Sequence, residues 1–284
     1  MWRRRDLLKA AAAAPLAIAA VDPLAKLKIG VTDWNLRQTG KLEALALAKR
    51  LGFDGAEVSL GRRVVDNRLP MDDAALQDQY LAEAARLNVA IAGTCLDVLH
   101  VNYLKNDKLG QKWVAEGIPI TRKLNARVML LPFFGKGALE TRQEMDYVGD
   151  VLRELAPEAE KAGILLGLED TISAEDNVRI MERTRSKAVL VYYDVGNSTR
   201  AGFDPAKEIA WLGKSRICQF HLKDNPHYLG EGKIDFPAIV KSIAGLGGFE
   251  GFANLETSTQ QSVEEDMTRN LGYLRRLLEG EKKG

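Results

Sequence analysis

The chain has 284 residues, 46% of them apolar and 28% charged, with a formal net charge of +1 at pH 7. That balance excludes a disordered or membrane-embedded protein and leaves no global field to gather nucleic acid or anionic lipid. The length allows a sizeable core, as one large domain or two small ones.

Residues 1–20 read as an export signal. Arg3-Arg4-Arg5-Asp6-Leu7-Leu8-Lys9 precedes an Ala-rich run from Ala10 to Ala20, and Ala17-Ile18-Ala19 meets the small-x-small rule for cleavage. The pattern resembles a twin-arginine signal, so a periplasmic or exported protein is expected. The run is too short and too rich in alanine for a good spanning helix. A basic amphipathic N-terminal helix is the alternative. Loss of Arg3, Arg4, Arg5, Lys9 and Asp6 makes the remaining chain slightly negative. It should be soluble, with no membrane association.

From residue 25 to 280 short apolar runs alternate with amphipathic ones. Leu27 to Asp33 is the first expected strand, followed by a helix over 41–51 that Gly52 stops. Ala56 to Ser59 is the second, with a helix from Asp72-Asp73 to Leu87. Val89 to Leu96 is the third, leading to a loop over 97–106 and a helix over 107–124 that Gly117 and Pro119 are expected to break. Val128 to Pro132 is the fourth, with a helix over 141–162, kinked at Pro157 and closed by Gly163. Ile164 to Glu169 and a helix from Ser173 to Arg185 form the fifth unit, with Ser173 to Asp176 as its capping box. Val189 to Asp194 with Asp204 to Leu212, Ile217 to Leu222 with Phe236 to Leu246, and Phe252 to Glu256 with Val263 to Leu278 complete the series.

Eight strand–helix units in this length predict a single-domain (β/α)8 TIM barrel. The strands barely alternate in polarity, as expected of a sheet covered on both faces. An open doubly wound sheet is the alternative, but no glycine-rich fingerprint follows the first strand. Cys95 and Cys218 fall on the third and seventh strands, across the barrel, where a disulfide is not expected.

Four strands end on chemistry. Glu169, Asp194 and Glu256 close the fifth, sixth and eighth, and His221 sits in the seventh before Lys223 and Asp224. Functional groups of a parallel barrel gather at the C-terminal strand ends, so these four side chains should meet at one mouth. Three carboxylates and one imidazole suit one divalent ion, Mn²⁺, Mg²⁺, Co²⁺ or Zn²⁺. Taken singly, each carboxylate is as readily a helix cap or a partner for a surface lysine.

Leu168-Glu169-Asp170, Tyr193 to Asn197, His221 to Asp224 with Leu229 to Phe236, and Asn254 to Glu256 resemble the sugar phosphate isomerase/epimerase group of xylose-isomerase-like TIM barrels, which includes ketose 3-epimerases and inosose dehydratases. The resemblance implies metal binding by Glu169, Asp194, His221 and Glu256, with Glu169 and Glu256 as the catalytic acid/base pair. It further implies a small carbohydrate substrate, a role in carbohydrate metabolism and a homo-oligomer. Asn197 stands where the ketose 3-epimerases carry a histidine. Their arginine after the seventh strand is not evident here, and Lys223 is the nearest cation. The related abasic-site endonucleases use more metal-binding histidines than the three in this chain.

Residues expected to touch substrate are Trp34 as a sugar wall, Glu57, His100, Asn197, Lys223, Asp224 and His227. Asn102 and an apolar side from Phe133 and Phe134 join them. Lys223 has a salt bridge to Asp224 as its alternative role, and His227 a solvated loop. The reading is a metal-dependent isomerase or epimerase of a non-phosphorylated sugar or keto-sugar that removes a proton next to a carbonyl through an enediolate. The alternatives are a lyase or dehydratase acting on a keto-sugar or inosose, and a non-catalytic sugar-binding barrel.

Overall fold

Eight strands follow one another around a closed barrel, each parallel to its neighbours, and the last pairs with the first. The structure is a computed structural model that describes residues 22–281. The expected export signal at residues 1–20 lies outside them. The strands are β1 (Leu27–Thr32), β2 (Gly55–Ser59), β3 (Ala90–Cys95), β4 (Val128–Pro132), β5 (Leu165–Glu169), β6 (Val189–Asp194), β7 (Ile217–Leu222) and β8 (Gly251–Leu255). The helices are α1 (Glu43–Leu51), α2 (Ala74–Leu87), α3 (Lys108–Lys123), α4 (Arg142–Ala162), α5 (Ala174–Thr184), α6 (Val195–Ala201), α7 (Pro205–Leu212), α8 (Phe236–Gly245) and α9 (Val263–Glu281). This is the single-domain (β/α)8 barrel that the alternation predicts. β2, β4 and β7 are buried along their whole length, which explains why they carry no polar alternation.

Helix starts follow local chemistry. Asp73, Asp107, Thr141, Ser173, Asp204 and Asp235 each accept a backbone N–H of the turn that follows. The complete capping box is Thr141 with Glu144. Two expectations need correction. α3 is not broken at Gly117 and Pro119: Val114, Gly117, Ile118 and Thr121 are buried, so tertiary packing holds the helix through both. The second is α6, a helix directly after β6 where none was expected. α4 is one helix that contains Pro157, and α9 extends to Glu281. None of the described helices is long and apolar enough to cross a membrane.

Side chains two apart on a strand share a face. Tyr192 and Asp194, Gln219, His221 and Lys223, and Asn254 and Glu256 therefore rise in layers toward one end of the barrel. Gly30 leaves room for this packing, since a Cβ there would lie 1.9 Å from Asn254 Oδ1. Cys95 and Cys218 are free and buried, in a small cluster with Val128, Leu130 and Tyr192.

Candidate active site

The register of the sheet brings the four ligand candidates together. Asp194 pairs with His221 across β6 and β7, and His221 with Asn254 across β7 and β8. Glu256 lies one residue past β8, its N–H bound to the carbonyl of Leu222 at 3.1 Å. One ligand atom from each of Glu169, Asp194, His221 and Glu256 lies within 4.8 Å of the others. His221 Nδ1 is 2.9 Å from Glu169 Oε1, 3.8 Å from Asp194 Oδ2 and 3.6 Å from Glu256 Oε2.

Asp194 has two jobs. Its Oδ1 accepts the N–H of Asn197 at 2.8 Å and so caps α6, while Oδ2 faces the cluster. Capping α6 and facing the cluster are thus compatible in one side chain.

Two cations oppose these three carboxylates. Lys223 Nζ lies 2.6 Å from Asp194 Oδ2 and also contacts Glu256 Oε2. Burial would lower its pKa, but Asp194 and Glu256 outweigh that and hold it well above the ordinary lysine value. Burial would also lower His221, yet Glu169, Glu256 and Glu57 raise it well above the usual imidazole range. Asp194 is pushed up to about 7 by burial, against the pull of Lys223 and with the push of Glu169 and Glu256. Glu256 resists its own burial because Lys223 and His221 bring it down to about 2. The alternative in which Lys223 pairs with Asp224 is not what forms. Lys223→Met should strand buried charge and destabilise the metal-free protein by about 3–5 kcal/mol, with saturating Mn²⁺ restoring much of the loss. Urea denaturation in EDTA and in Mn²⁺ measures both.

The donor set fits a hard divalent ion: three carboxylate oxygens and one ring nitrogen converge, and the ring is held so that Nδ1 faces them. What holds it is Glu57. This residue is not a pocket wall. It is wholly buried on β2 beneath the cluster, with Oε2 2.8 Å from His221 Nε2. Tyr192 donates to the same oxygen at 2.9 Å, and Asn254 reaches Tyr192 Oη at 2.7 Å and Gln219 Oε1 at 3.1 Å. A carboxylate behind a ligating imidazole fixes its tautomer and raises its basicity. Glu57→Gln leaves a neutral amide oxygen where a carboxylate accepts from Nε2–H, so the imidazole becomes a weaker base and metal affinity should fall about 10–100-fold while the fold survives. Manganese titration calorimetry beside circular dichroism checks this.

The mouth opens into a cavity of about 640 Å³. Trp34 lines it and donates from Nε1 to Glu256 Oε1 at 3.0 Å, as a wall that also steadies an acid/base candidate. His100 also lines it, stacked on Phe134 with centroids 6.2 Å apart. Burial and the charge of Arg62 push its pKa below the ordinary value. Asn197, buried on α6, donates to Glu169 Oε1 at 3.4 Å.

Other expectations move away from the site. Asp224 turns Oδ2 to the N–H groups of Gly230 and Gly232 at 3.2 and 2.8 Å, so it fastens the loop rather than a sugar. His227 is exposed and lines a second cavity that adjoins the mouth rather than the mouth itself. Asn102 is taken up by Trp113 and Asp107, and Phe133 is in the core. Sequence reasoning missed Arg200, which donates to Asn197 Oδ1 and lines the mouth. Recognising α6, capped by Asp194 and ended by Gly202, would have placed it.

Residues 45–277 match the family described as xylose isomerase-like TIM barrel, and the chain belongs to that family. A relative, 2-epi-5-epi-valiolone 7-phosphate 2-epimerase from an Actinoplanes species, is 26% identical over 200 residues, 70% of this chain and 73% of the relative. Among solved structures, an L-ribulose 3-epimerase aligns with a TM-score of 0.75 at 18% identity, covering 90% of this chain and 96% of the other. D-psicose 3-epimerase from Clostridium cellulolyticum H10, with D-tagatose, gives 0.72 at 15% identity, covering 88% and 99%. These structural likenesses speak to the fold.

Proposed function

We propose that the chain is a divalent-metal-dependent isomerase or epimerase of a sugar or keto-sugar, and that residues 1–20 direct it out of the cytoplasm. One observation carries the reading: Glu169 and Glu256 come from β5 and the end of β8, well apart around the barrel, yet their carboxylates close on one point beside Asp194 and His221. A proton shift between two faces of a carbon, or between neighbouring carbons, needs such a pair of bases.

Glu169, Asp194, His221 and Glu256 would hold the ion, which would supply Lewis-acid polarisation of the substrate carbonyl. One glutamate removes the proton on the carbon next to the carbonyl, and the other returns a proton. Trp34 orients Glu256 through its indole N–H, and Asn197 steadies Glu169. Trp34 and Phe134 enclose the sugar ring and limit water at the reacting carbon. The named activities of the relatives, a 2-epimerase and 3-epimerases, support this class of chemistry.

The test is a screen of ketoses and keto-sugars in D₂O with Mn²⁺. Incorporation of deuterium at the carbon beside the carbonyl, with appearance of the epimer, is expected. Release of water or an alcohol would mark elimination instead. Binding of a sugar without any exchange would make the chain a binding module.

A further inference from the structure

A second cavity, of about 400 Å³, opens beside the mouth and shares Arg200 and Lys223 with it. Its lining adds two more cationic or cation-forming side chains, His227 and Lys233. The charge here is unbalanced. Lys223 is committed to Asp194 and Glu256. Asp224, the acid in the lining, is turned to the N–H groups of Gly230 and Gly232. Glu231, in the adjoining loop, pairs with Arg269. Among the described residues, Arg200 and Lys233 make no ion pair with a carboxylate.

Arg200 is also held in place. Its guanidinium donates to Asn197 Oδ1, and Asn197 donates to Glu169. A planar fork, an ammonium and an imidazole thus border one concave space next to the reacting centre. Such a trio recognises an oxyanion, through charge-assisted hydrogen bonds from several directions.

We propose that this cavity is an anion subsite of the substrate cleft, and that the substrate is an anionic keto-sugar. With its carbonyl carbon between Glu169 and Glu256, the sugar extends a phosphate monoester or a carboxylate to Arg200, His227 and Lys233. The inference rests on the isomerase or epimerase reading above and deepens it by naming the substrate class.

Calorimetric titration with D-fructose 6-phosphate, D-fructuronate and D-fructose, each with and without Mn²⁺, tests it. At least one anion should bind about tenfold or more tightly than the neutral ketose, a difference a few charge-assisted contacts supply. The anion that wins identifies the group as phosphate or carboxylate. In Arg200→Gln/Lys233→Gln the preference should vanish with metal content unchanged, which shows that the side chains and not the ion hold the anion. Lys233→Gln alone, at an exposed position that tolerates substitution, should lower it several-fold if the double variant folds poorly. Equal affinity for all three ligands, or a preference that survives in both variants, overturns the proposal. Failure of the underlying reading shows elsewhere, as absence of bound ion and of deuterium exchange with every ketose.

Discussion

Glu169→Gln is expected to slow proton exchange in a bound keto-sugar by about 10²–10⁴-fold, the range a positioned general acid or base contributes. Glutamine keeps the size of the side chain and an oxygen for Asn197, so the pocket should persist. What is lost is a group that can take up a proton. Glu256→Gln should cost as much in turnover, although its one remaining oxygen serves only one of the two donors, Trp34 Nε1 and Lys223 Nζ, that meet the carboxylate. The two variants should differ in stereochemistry. If the glutamates serve opposite faces, each variant still washes deuterium into one epimer and fails with the other. Rates are best compared at saturating Mn²⁺, because both residues are also ligand candidates. Equal exchange with both epimers in either variant would assign the chemistry to other groups.

Asp194→Asn is expected to weaken metal binding by more than the about 10–100-fold that outer-shell changes cost. Asparagine caps helices as well as aspartate does, and it retains an oxygen for the N–H of Asn197. α6 should therefore stay in place, which separates the ligand role of this residue from its structural one. Metal affinity should also depend on pH. In the metal-free site Asp194 titrates at about 7, and His221 holds its proton to well above the ordinary value. An ion displaces those protons, so the free site carries more of them than the occupied one, and affinity rises with pH. The gain should be about tenfold per unit for each proton displaced, steepest below pH 7 where Asp194 is protonated. Calorimetry across pH 5.5–7.5 in buffers of different ionisation enthalpy would count the protons. An affinity independent of pH would mean that these residues are not the ligands.

The barrel was legible because its strands are short, apolar and buried on both faces, and because Gly52, Gly163 and the aspartate caps punctuate them. The convergence of Glu169, Asp194, His221 and Glu256 was legible for the same reason, since parallel strands place their ends at one mouth. Glu57 was misjudged because position along a strand does not show depth: a bulge between Ala56 and Glu57 in the pairing of β2 with β3 accompanies a side chain that lies under His221. Lys223 and Asp224 are adjacent in sequence, but strand alternation sends them apart, one to the cluster and one to the loop. Arg200 escaped notice because α6 is a short helix with glycine and β-branched residues, weak in propensity, and its start is fixed by an aspartate that reads first as a ligand. Pro119 misled in the opposite direction, since packing against the barrel outweighs the local preference against proline.

The most direct test of the central claim is the metal content of the purified wild-type chain, measured by inductively coupled plasma mass spectrometry after dialysis against Mn²⁺ and gel filtration. About one divalent ion per chain, lost in Asp194→Asn/Glu256→Gln, is the predicted result. Wild-type protein that retains no ion under these conditions would contradict the metal-dependent mechanism, and the barrel would then be read as a sugar-binding module.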